Sequence, residues 1–344
     1  MDLRYGNLNI KVQLVTGFSS FCIHPRNILV ISIMAFLSVI IASLSSYAVT
    51  SLVLLHYPNL LHKSKNFRKI KHISHRGGAG ENYENTLTAF AHAVSLGTDM
   101  LELDCHITRD KQVVVAHDPS LLRLTGVDAF IEDLDYHELP LLKTTLNIDF
   151  EPGKHFTGLE DETHRKIPLL KHVFESFPDV VINIDVKKGD DELIEEISKL
   201  ITAHKREGST IWGSFKEESS LKCYNQNPEV GRYFSIKGVI KLYLYFFTGL
   251  LPFIPLAETH LEIPLYSVKD ISHRTRRQQM YLQLVRFLII RPALFRHLNK
   301  RGIPTYAWVL NTENEFQVAF NAGVNGIMTD YPTKLRNFLR TQNC

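Results

Sequence analysis

The sequence predicts an α/β fold: a (β/α)8 TIM barrel, with an N-terminal transmembrane helix before it and an apolar insertion within it. Short runs of β-forming residues alternate with amphipathic helical patterns through most of the chain, and this alternation is typical of parallel βα units. About eight such runs over about 260 residues match the size of a closed barrel. One uncharged apolar stretch precedes the runs, and a second one interrupts them.

The predicted strands are short and well separated. They are expected at residues 72–75, 98–105, 112–117, 180–186, 209–213, 231–235, 304–309 and 325–329. Helical patterns lie between many of them, at Glu84–Leu96, Pro168–Phe177, Asp190–Arg206, Glu217–Asn225, Pro292–Arg301 and Thr312–Ala322. Residues 118–167 are expected to form a looser insertion. Residues 72–340 are therefore predicted to be one barrel domain.

Composition excludes several classes of protein. The net charge is +3 and 22% of the 344 residues are charged, without a run of basic residues interleaved with aromatics, so nucleic acid is not an expected partner. The four cysteines are scattered without paired spacing. Neither a zinc knuckle nor a disulfide framework is therefore indicated.

The first apolar stretch predicts a membrane anchor at residues 27–56, after an N-terminal tail of residues 1–26. No formally charged residue stands between Arg26 and Lys63, and about 20 apolar residues are enough to span a bilayer. A cleaved signal peptide, which normally has a shorter apolar core, and a buried helix are the alternatives. The linker at residues 57–71 carries more basic residues than the tail, which favours a cytosolic location for the barrel.

The second apolar stretch lies within residues 236–291. Its most apolar part, Leu242–Ala257, is short for a membrane span and contains two prolines. We expect this insertion to lie in the membrane interface, and an internal core segment is the alternative. Three nearby arginines are available for lipid phosphates: Arg274, Arg276 and Arg277.

Carboxylates on predicted strands point to a divalent cation. Glu102 and Asp104 are two residues apart, so their side chains share one face of a strand. Two carboxylates inside a barrel need compensation, and a hard divalent ion supplies it; exposed or salt-bridged acids are the alternative. Asp185 and Lys187 share a face of another strand, where they offer a third oxygen ligand and a positive charge for a phosphate.

Two histidines are the last residues of predicted strands, at the end of a barrel where active sites are built. They are His75 and His117. Histidine side chains in general suit proton transfer near neutrality, and a pair of them can divide the roles of acid and base. Arg76 offers a planar fork to two phosphate oxygens. The glycines that follow Arg76 lack nucleotide-binding spacing, and the chain has no GxSxG or HExxH motif.

These residues resemble the ordered signature motifs of the glycerophosphodiester phosphodiesterase family. The motifs cover about residues 72–338, and in chain order they read HRGGAGENYENT, LELDCHITRD, VVVAHD, INIDVK, AWVLN and GIMTDYPTKL. The anchor, the FFTGLLPFIP segment and the closing TDYPTKL are similar to the small membrane-anchored branch of the family, whose members act as lysophospholipases D. The resemblance implies a barrel, a divalent metal and hydrolysis of glycerol-linked phosphodiesters.

Residue roles follow from the resemblance motif by motif. It implies that His75 and His117 are the general acid and base and that Arg76 binds phosphate. It also implies metal ligands at Glu102, Asp104 and Asp185, with Mg²⁺ or Ca²⁺ expected and Mn²⁺ as a third candidate. Lys187 would stabilise charge on the phosphate, and Trp308 would line the pocket.

Two positions depart from the family pattern. Asp185 stands where most of the family has glutamate, which leaves the identity of the metal open. Tyr83 stands where the family usually has proline, which is expected to loosen only the helix entry.

The expected activity is that of a lysophospholipase D at an internal membrane such as the endoplasmic reticulum. The expected substrates are lysophosphatidylcholine and N-acyl lysophosphatidylethanolamine, cleaved to lysophosphatidic acid and the head-group alcohol. Three alternatives stay open at this point. They are a phosphodiesterase for soluble glycerophosphocholine, a metal-independent phosphoinositide-cleaving barrel, and a non-catalytic lipid-binding module tethered to the membrane.

Overall fold

The computed structural model describes residues 25–66, 68–158, 160–265 and 275–342. The predicted phosphate-binding residue Arg274 and most of the predicted N-terminal tail lie outside the described residues. Two compact units are present, Met1–Val53 and Leu54–Cys344.

The first unit is described from helix α1, Pro25–His56, onwards. Within the described part of the chain, this helix alone is long and apolar enough to cross a membrane: the most apolar window within Asn27–His56 has a mean hydropathy of 2.6, and none of that window is buried. A buried core helix is therefore not what the segment forms. A membrane anchor and a signal sequence both satisfy this test.

The second unit is a barrel of eight parallel strands. One further strand pairs antiparallel with a barrel strand, and two more strands form a separate hairpin. The eleven strands of the described residues are β1 His72–Ser74, β2 Met100–Ile107, β3 Val113–Val115, β4 Thr145–Asn147, β5 His155–Thr157, β6 Val181–Val186, β7 Thr210–Gly213, β8 Gly231–Arg232, β9 Leu261–Pro264, β10 Thr305–Trp308 and β11 Gly326–Thr329. The barrel order is β8-β7-β6-β2-β1-β11-β10-β9. A parallel bridge between Tyr233 and His260 joins the two ends of this order, so the barrel is closed. The predicted fold is confirmed.

One predicted barrel strand is wrong. Residues 112–117 contain β3, which pairs antiparallel with β2 from Val113 opposite Ile107 to Val115 opposite Cys105. The connection between β2 and β3 is only a few residues long, and a parallel partner requires a crossover of about a dozen residues or more. A connection this short allows β3 to pair with β2 only as an antiparallel hairpin.

The eighth barrel strand is β9, in the segment predicted to be a purely apolar insertion. It pairs parallel with β10, with Leu261 opposite Thr305 and Pro264 opposite Trp308. The run is only four residues long and ends in a proline, so its β pattern did not stand out from its apolar neighbours. The insertion therefore contains part of the barrel wall.

Helices cover the outside of the barrel. Those after α1 are α2 Leu87–Ser95, α3 Leu122–Thr125, α4 Leu170–Ser176, α5 Asp191–Ala203, α6 Glu217–Gln226, α7 Ile236–Phe247, α8 Arg276–Ile289, α9 Pro292–Lys300, α10 Glu313–Asn321 and α11 Pro332–Gln342. Side-chain caps set several starts: Thr86 accepts from the Ala89 amide before α2, and Asp190 accepts from the Glu192 amide before α5. The apolar core lies between the strands and these helices. Since strand residues alternate, Leu101 and Leu103 belong to that core.

The insertion after β3 has a small core of its own and carries the β4–β5 hairpin. Tyr83 is buried at the base of this hairpin: its hydroxyl donates to the Thr144 carbonyl at 3.1 Å, and its ring lies edge-on to Phe156. The Tyr83 carbonyl also accepts from the Thr86 hydroxyl. Tyr83 therefore fixes the helix entry and the hairpin, contrary to the expected loosening.

Candidate active site

The three predicted carboxylate ligands lie together inside the barrel. Glu102 and Asp104 project inward from β2, and Asp185 lies on β6 directly opposite Asp104 in the strand register. All three are buried, and all three line one cavity of about 270 Å³. The alternation of β2 therefore places the acids where the sequence predicted them.

Lys187 stands between two of these acids. Its ammonium donates to Asp104 Oδ1 at 2.7 Å and to Asp185 Oδ2 at 2.6 Å. Burial alone would lower the pKa of Lys187, but the two carboxylates raise it above its usual value. The second oxygen of Asp185 accepts from the buried Tyr233 hydroxyl at 2.9 Å, so both oxygens of this shorter side chain are held.

Glu102 and Asp104 have opposite pKa shifts. Burial, followed by the charge of Asp104, raises the pKa of Glu102 well above its usual value. Burial also opposes ionisation of Asp104, but Lys187 and Arg76 together bring its pKa below the usual value. Neighbouring positive charges therefore compensate the negative charge of Glu102 less well than that of Asp104.

Such a cluster fits a divalent cation by its chemistry. The donors are carboxylate oxygens, which Mg²⁺ and Ca²⁺ prefer as ligands. Burial and the charge of Asp104 disfavour the ionised form of Glu102, and an added positive charge would favour it. In the described residues, however, no three His, Cys, Asp or Glu side chains are grouped tightly enough to hold an ion. The Lys187 ammonium lies against two of the acids instead, so ion binding requires Lys187 to turn away from Asp104 and Asp185.

Arg76 is buried and surrounded by anions. Its Nη1 donates to Glu84 Oε1 at 3.1 Å and to Asp149 Oδ2 at 2.7 Å, and its Nε lies 3.4 Å from Asp104 Oδ2. Its backbone adopts a φ of +50°, and its amide donates to Glu102 at 2.9 Å. Asp149, near the tip of the β4–β5 hairpin, is the most exposed of these partners. A phosphate that reaches Arg76 would replace Asp149.

His75 is oriented by a residue that the sequence reasoning missed. Its Nδ1 is hydrogen bonded to Asp330 Oδ1 at 2.6 Å, and its Nε2 lies 3.9 Å from Glu102. Asp330 is fully buried, and its other oxygen accepts from Asn311 Nδ2 at 3.0 Å. Ser74 pairs with Thr329 in the β1–β11 register, so His75 and Asp330 follow adjacent strand ends. The sequence could have indicated Asp330, because the last strand of a closed barrel lies beside the first and Asp330 follows the last strand.

His117 reaches the same cavity by another route. It follows the antiparallel β3, which returns along β2 so that the Ala116 amide donates to the Asp104 carbonyl at 3.0 Å. His117 therefore lines the cavity from the end of an antiparallel strand, not from the parallel strand end that the sequence analysis expected. His117 Nδ1 is hydrogen bonded to Asp118 Oδ1 at 2.7 Å, and Arg123 donates to the other oxygen of Asp118. Burial disfavours the Asp118 carboxylate, but His117 and Arg123 bring its pKa below the usual value.

An aromatic wall completes the cavity. Trp308 lies between Phe150 and Phe215, with ring centroids 6.3 and 5.5 Å away, and Phe215 contacts Tyr233. Phe150 also lies edge-on to His75 at 5.4 Å. The Trp308 indole nitrogen has no hydrogen-bond partner in the described part of the chain. Trp308 therefore lines the pocket as predicted.

Glu262 is a second residue that the sequence reasoning missed. It projects from β9 into the cavity and accepts from Asn183 Nδ2 at 2.8 Å. Burial, followed by the charge of Asp185, raises the pKa of Glu262 to about 8. No pattern marked this glutamate, because β9 itself was not predicted.

The eight predicted site residues thus all line one cavity: His75, Arg76, Glu102, Asp104, His117, Asp185, Lys187 and Trp308. Two imidazoles whose Nδ1 atoms are bound to carboxylates, next to buried acids and two fixed cations, can exchange protons with a phosphate ester and hold its charge.

Comparison with known proteins agrees with this geometry. The glycerophosphoryl diester phosphodiesterase family matches residues 75–334. The human protein named Lysophospholipase D GDPD1 is 49% identical over 305 residues, covering 87% of this chain and 96% of that protein. The human Lysophospholipase D GDPD3 is 38% identical over 306 residues, covering 86% and 94%.

Solved structures show the same fold at lower identity. A putative glycerophosphoryl diester phosphodiesterase from Silicibacter pomeroyi has a TM-score of 0.58 and 18% identity, covering 81% of this chain and 96% of that one. A phosphodiesterase of Oleispira antarctica, in complex with the product sn-glycerol-3-phosphate, has a TM-score of 0.55 and 20% identity, covering 78% and 96%. The chain therefore belongs to the glycerophosphoryl diester phosphodiesterase family, as a phosphodiesterase that matches its lysophospholipase D branch.

Proposed function

We propose that this phosphodiesterase is a metal-dependent lysophospholipase D. Its substrates would be lysophosphatidylcholine and N-acyl lysophosphatidylethanolamine, cleaved to lysophosphatidic acid and the free head-group alcohol. The observation that carries the proposal is the pair His75 and His117, each tied at Nδ1 to a carboxylate and each lining the cavity that holds the acidic cluster. The names of the two human relatives support a lysolipid substrate.

A divalent cation is part of this proposal. Glu102, Asp104 and Asp185 would hold it, with Mg²⁺ or Ca²⁺ as the expected ion and Mn²⁺ as a third candidate. When bound, the ion would add positive charge at the phosphate and acidify the neighbouring glycerol hydroxyl of the substrate.

The proton transfers fall to the two histidines. One removes the proton from the glycerol hydroxyl, whose oxygen then bonds to phosphorus, and the other gives a proton to the departing head-group oxygen as its bond to phosphorus breaks. Arg76 and Lys187 hold the negative charge that grows on the phosphate oxygens, and Trp308 borders the substrate. Water then opens the cyclic phosphate to give lysophosphatidic acid.

The scheme requires a free hydroxyl beside the phosphate. Purified protein should therefore cleave lysophosphatidylcholine and leave diacyl phosphatidylcholine intact when both are assayed with added metal by head-group release. A chelator and a His117→Ala variant serve as controls, and both should abolish the signal. Equal cleavage of the lyso and diacyl lipids would contradict internal attack.

A soluble glycerol phosphodiester is the second candidate substrate. The cavity of about 270 Å³ is small, so it suits a glycerophosphate portion better than a whole lipid. Including glycerophosphocholine in the same assay separates the two. A higher kcat/KM for glycerophosphocholine than for lysophosphatidylcholine would move the assignment to soluble diesters.

Helix α1 is proposed to be an uncleaved anchor in the endoplasmic reticulum or a related internal membrane. Its length, hydropathy and exposure support an anchor, and the basic linker that follows it supports a barrel on the cytosolic side. Protease treatment of sealed microsomes tests this: a C-terminal tag should be digested without detergent. Protection of the tag would place the barrel in the lumen.

A further inference from the structure

Helix α7 is apolar on two opposite sides. Its inner side buries Gly238 and Leu242 against the barrel. Its outer side exposes a stripe at helical spacing, with more than half of each side chain accessible: Ile236, Ile240, Leu244 and Phe247. A helix that faced only water would carry polar residues there, so this side requires an apolar partner.

Helix α8 continues the stripe. It exposes four large apolar side chains, Met280, Leu284, Phe287 and Leu288, again at helical spacing. The Arg291 guanidinium lies 5.2 Å from the Phe247 ring and 4.1 Å from the Phe287 ring, and the Tyr243 hydroxyl donates to the Ile289 carbonyl. The exposed sides of the two helices are therefore neighbours.

The residues just after α1 extend this surface. Tyr57, Leu60 and Leu61 are more than half exposed. His62 Nε2 donates to the Pro252 carbonyl at 2.8 Å, next to the exposed Phe253. We define the outer apolar face as Tyr57, Leu60, Leu61, the four stripe residues of α7, Leu250, Phe253 and the four of α8. It holds thirteen of the nineteen exposed large hydrophobic residues described after Val53.

The segments that form this face carry basic residues and no acidic ones, although Lys241 of α7 is paired with Glu217 of α6. Residues 57–65, α7 and α8 contain no Asp or Glu. Lys237, Arg276 and Arg277 are exposed along the two helices. Apolar side chains flanked by cations are typical of segments that lie in the head-group region of an anionic bilayer, where long basic side chains reach the phosphates.

Chain continuity identifies which apolar partner covers the face. Within the second unit, His297 donates to the Leu55 carbonyl and Lys300 to the His56 carbonyl, each at 2.8 Å. The face begins at Tyr57, the residue that follows α1 in the chain. A bilayer that holds α1 therefore lies next to the start of the face along the chain, whereas a soluble partner or a second copy has no such continuity.

We propose that the outer apolar face rests in the head-group region of the bilayer that holds α1. The inference builds on the anchor and lipid substrate of the proposed function. The face also approaches the cavity: α7 starts next to β8, and the Ile236 amide donates to the carbonyl of Phe215, which lines the cavity wall. A lysolipid can thus move from the membrane along α7 to the cavity without leaving the interface.

Tryptophan quenching tests the contact directly. Leu244→Trp and Phe287→Trp place a reporter on the face, and Leu221→Trp places one on α6, where Leu221 is exposed but outside the face. Each full-length variant is reconstituted in nanodiscs of phosphatidylcholine and phosphatidylserine, with or without brominated acyl chains. The emission of the parent protein, which contains Trp212 and Trp308, is subtracted.

Brominated lipid should quench the added emission of the two face variants and leave that of Leu221→Trp unchanged. Equal quenching at all three positions, or none at Leu244→Trp and Phe287→Trp, would overturn the proposal. If the unquenched variants also cross-link as dimers, a second copy covers the face.

An activity measurement separates this proposal from the function itself. The double variant Leu244→Asp, Phe287→Asp should lower kcat/KM for lysophosphatidylcholine in vesicles by about tenfold or more, because two large apolar side chains no longer enter the interface. Turnover of a short-chain lysophosphatidylcholine below its micelle concentration should not change. An equal loss on both substrates would contradict a role in docking. If the parent cleaves neither lipid, the proposed function fails, and quenching still decides the contact.

Discussion

The hydrogen bond between His75 and Asp330 offers a sharp test of the candidate site. In Asp330→Asn, one side-chain oxygen becomes an NH₂ group. In the parent protein, Asp330 accepts from His75 on one oxygen and from Asn311 Nδ2 on the other. Asn311 cannot simply turn over, because its own oxygen accepts from the Asp330 amide and the Thr329 hydroxyl. If the NH₂ group of the new amide faces Asn311, it meets another donor; if it faces His75, the imidazole can accept from it only with its own proton on Nε2, which is the other tautomer.

The size of the effect follows from the bond that is lost. A hydrogen bond to a charged group contributes about 1.5–3 kcal/mol, and the proposed mechanism requires this bond when His75 carries the proton. Since each 1.36 kcal/mol is tenfold in rate, kcat should fall about ten- to a hundredfold. KM should change little, because Asp330 is buried behind the imidazole.

A double-mutant cycle shows whether Asp330 acts through His75. Head-group release is measured for Asp330→Asn, His75→Ala and the combination, with the thermal midpoint as a check on folding. If Asp330 positions His75, adding Asp330→Asn to His75→Ala should cost little more. A full additive loss in the combination, or a kcat of Asp330→Asn within about twofold of the parent, would refute the reasoning.

Three further predictions use the same assay or a stability measurement. Glu102→Gln with Asp104→Asn should abolish ion uptake in calorimetry and lower kcat by at least about a hundredfold, whereas the isosteric surface change Glu192→Gln should do neither; retained ion uptake would exclude these acids as ligands. Asp149→Asn removes the anion that competes with phosphate for Arg76. KM should therefore fall about fivefold at low salt, which corresponds to a binding free energy of about 1 kcal/mol. An unchanged KM would show that phosphate does not bind Arg76. The pKa of Glu262 is about 8 in the folded protein, against an ordinary value of 4.5, so its contribution to stability is complete below about pH 4.5 and lost as pH rises through 8. Glu262→Gln should therefore raise the thermal midpoint relative to the parent at pH 8.5, and much less at pH 5. An equal change at both pH values would contradict the raised pKa.

Barrel topology explains what the sequence could predict. Alternation on β2 is local, so two residues are enough to assign Glu102 and Asp104 to the inside and Leu103 to the outside. Strand-end positions are local as well, which is why His75 could be assigned. His117 reaches the cavity for a different reason, since the β2–β3 hairpin brings it back to Asp104.

Contacts between distant parts of the chain could not be derived in the same way. Phe150 lines the cavity and Asp149 binds Arg76, both from a hairpin in an insertion that has neither strand nor helix periodicity over most of its length. Glu262 lies on a strand of four residues inside an apolar segment. The position of Lys187 between Asp104 and Asp185 depends on side-chain rotamers, which a sequence pattern does not specify.

The pairing of β1 with β11 has a consequence for biosynthesis. His75 and Asp330 are 255 positions apart, and the strands that bring them together are the first and the last of the barrel. A ribosome makes α1 long before residue 330, so the nascent chain carries this apolar helix while the His75 imidazole still lacks its carboxylate partner. Translation products that stop short of β11 would keep α1 but lack the hydrogen bond between His75 and Asp330, which forms only after the final strand has joined the first.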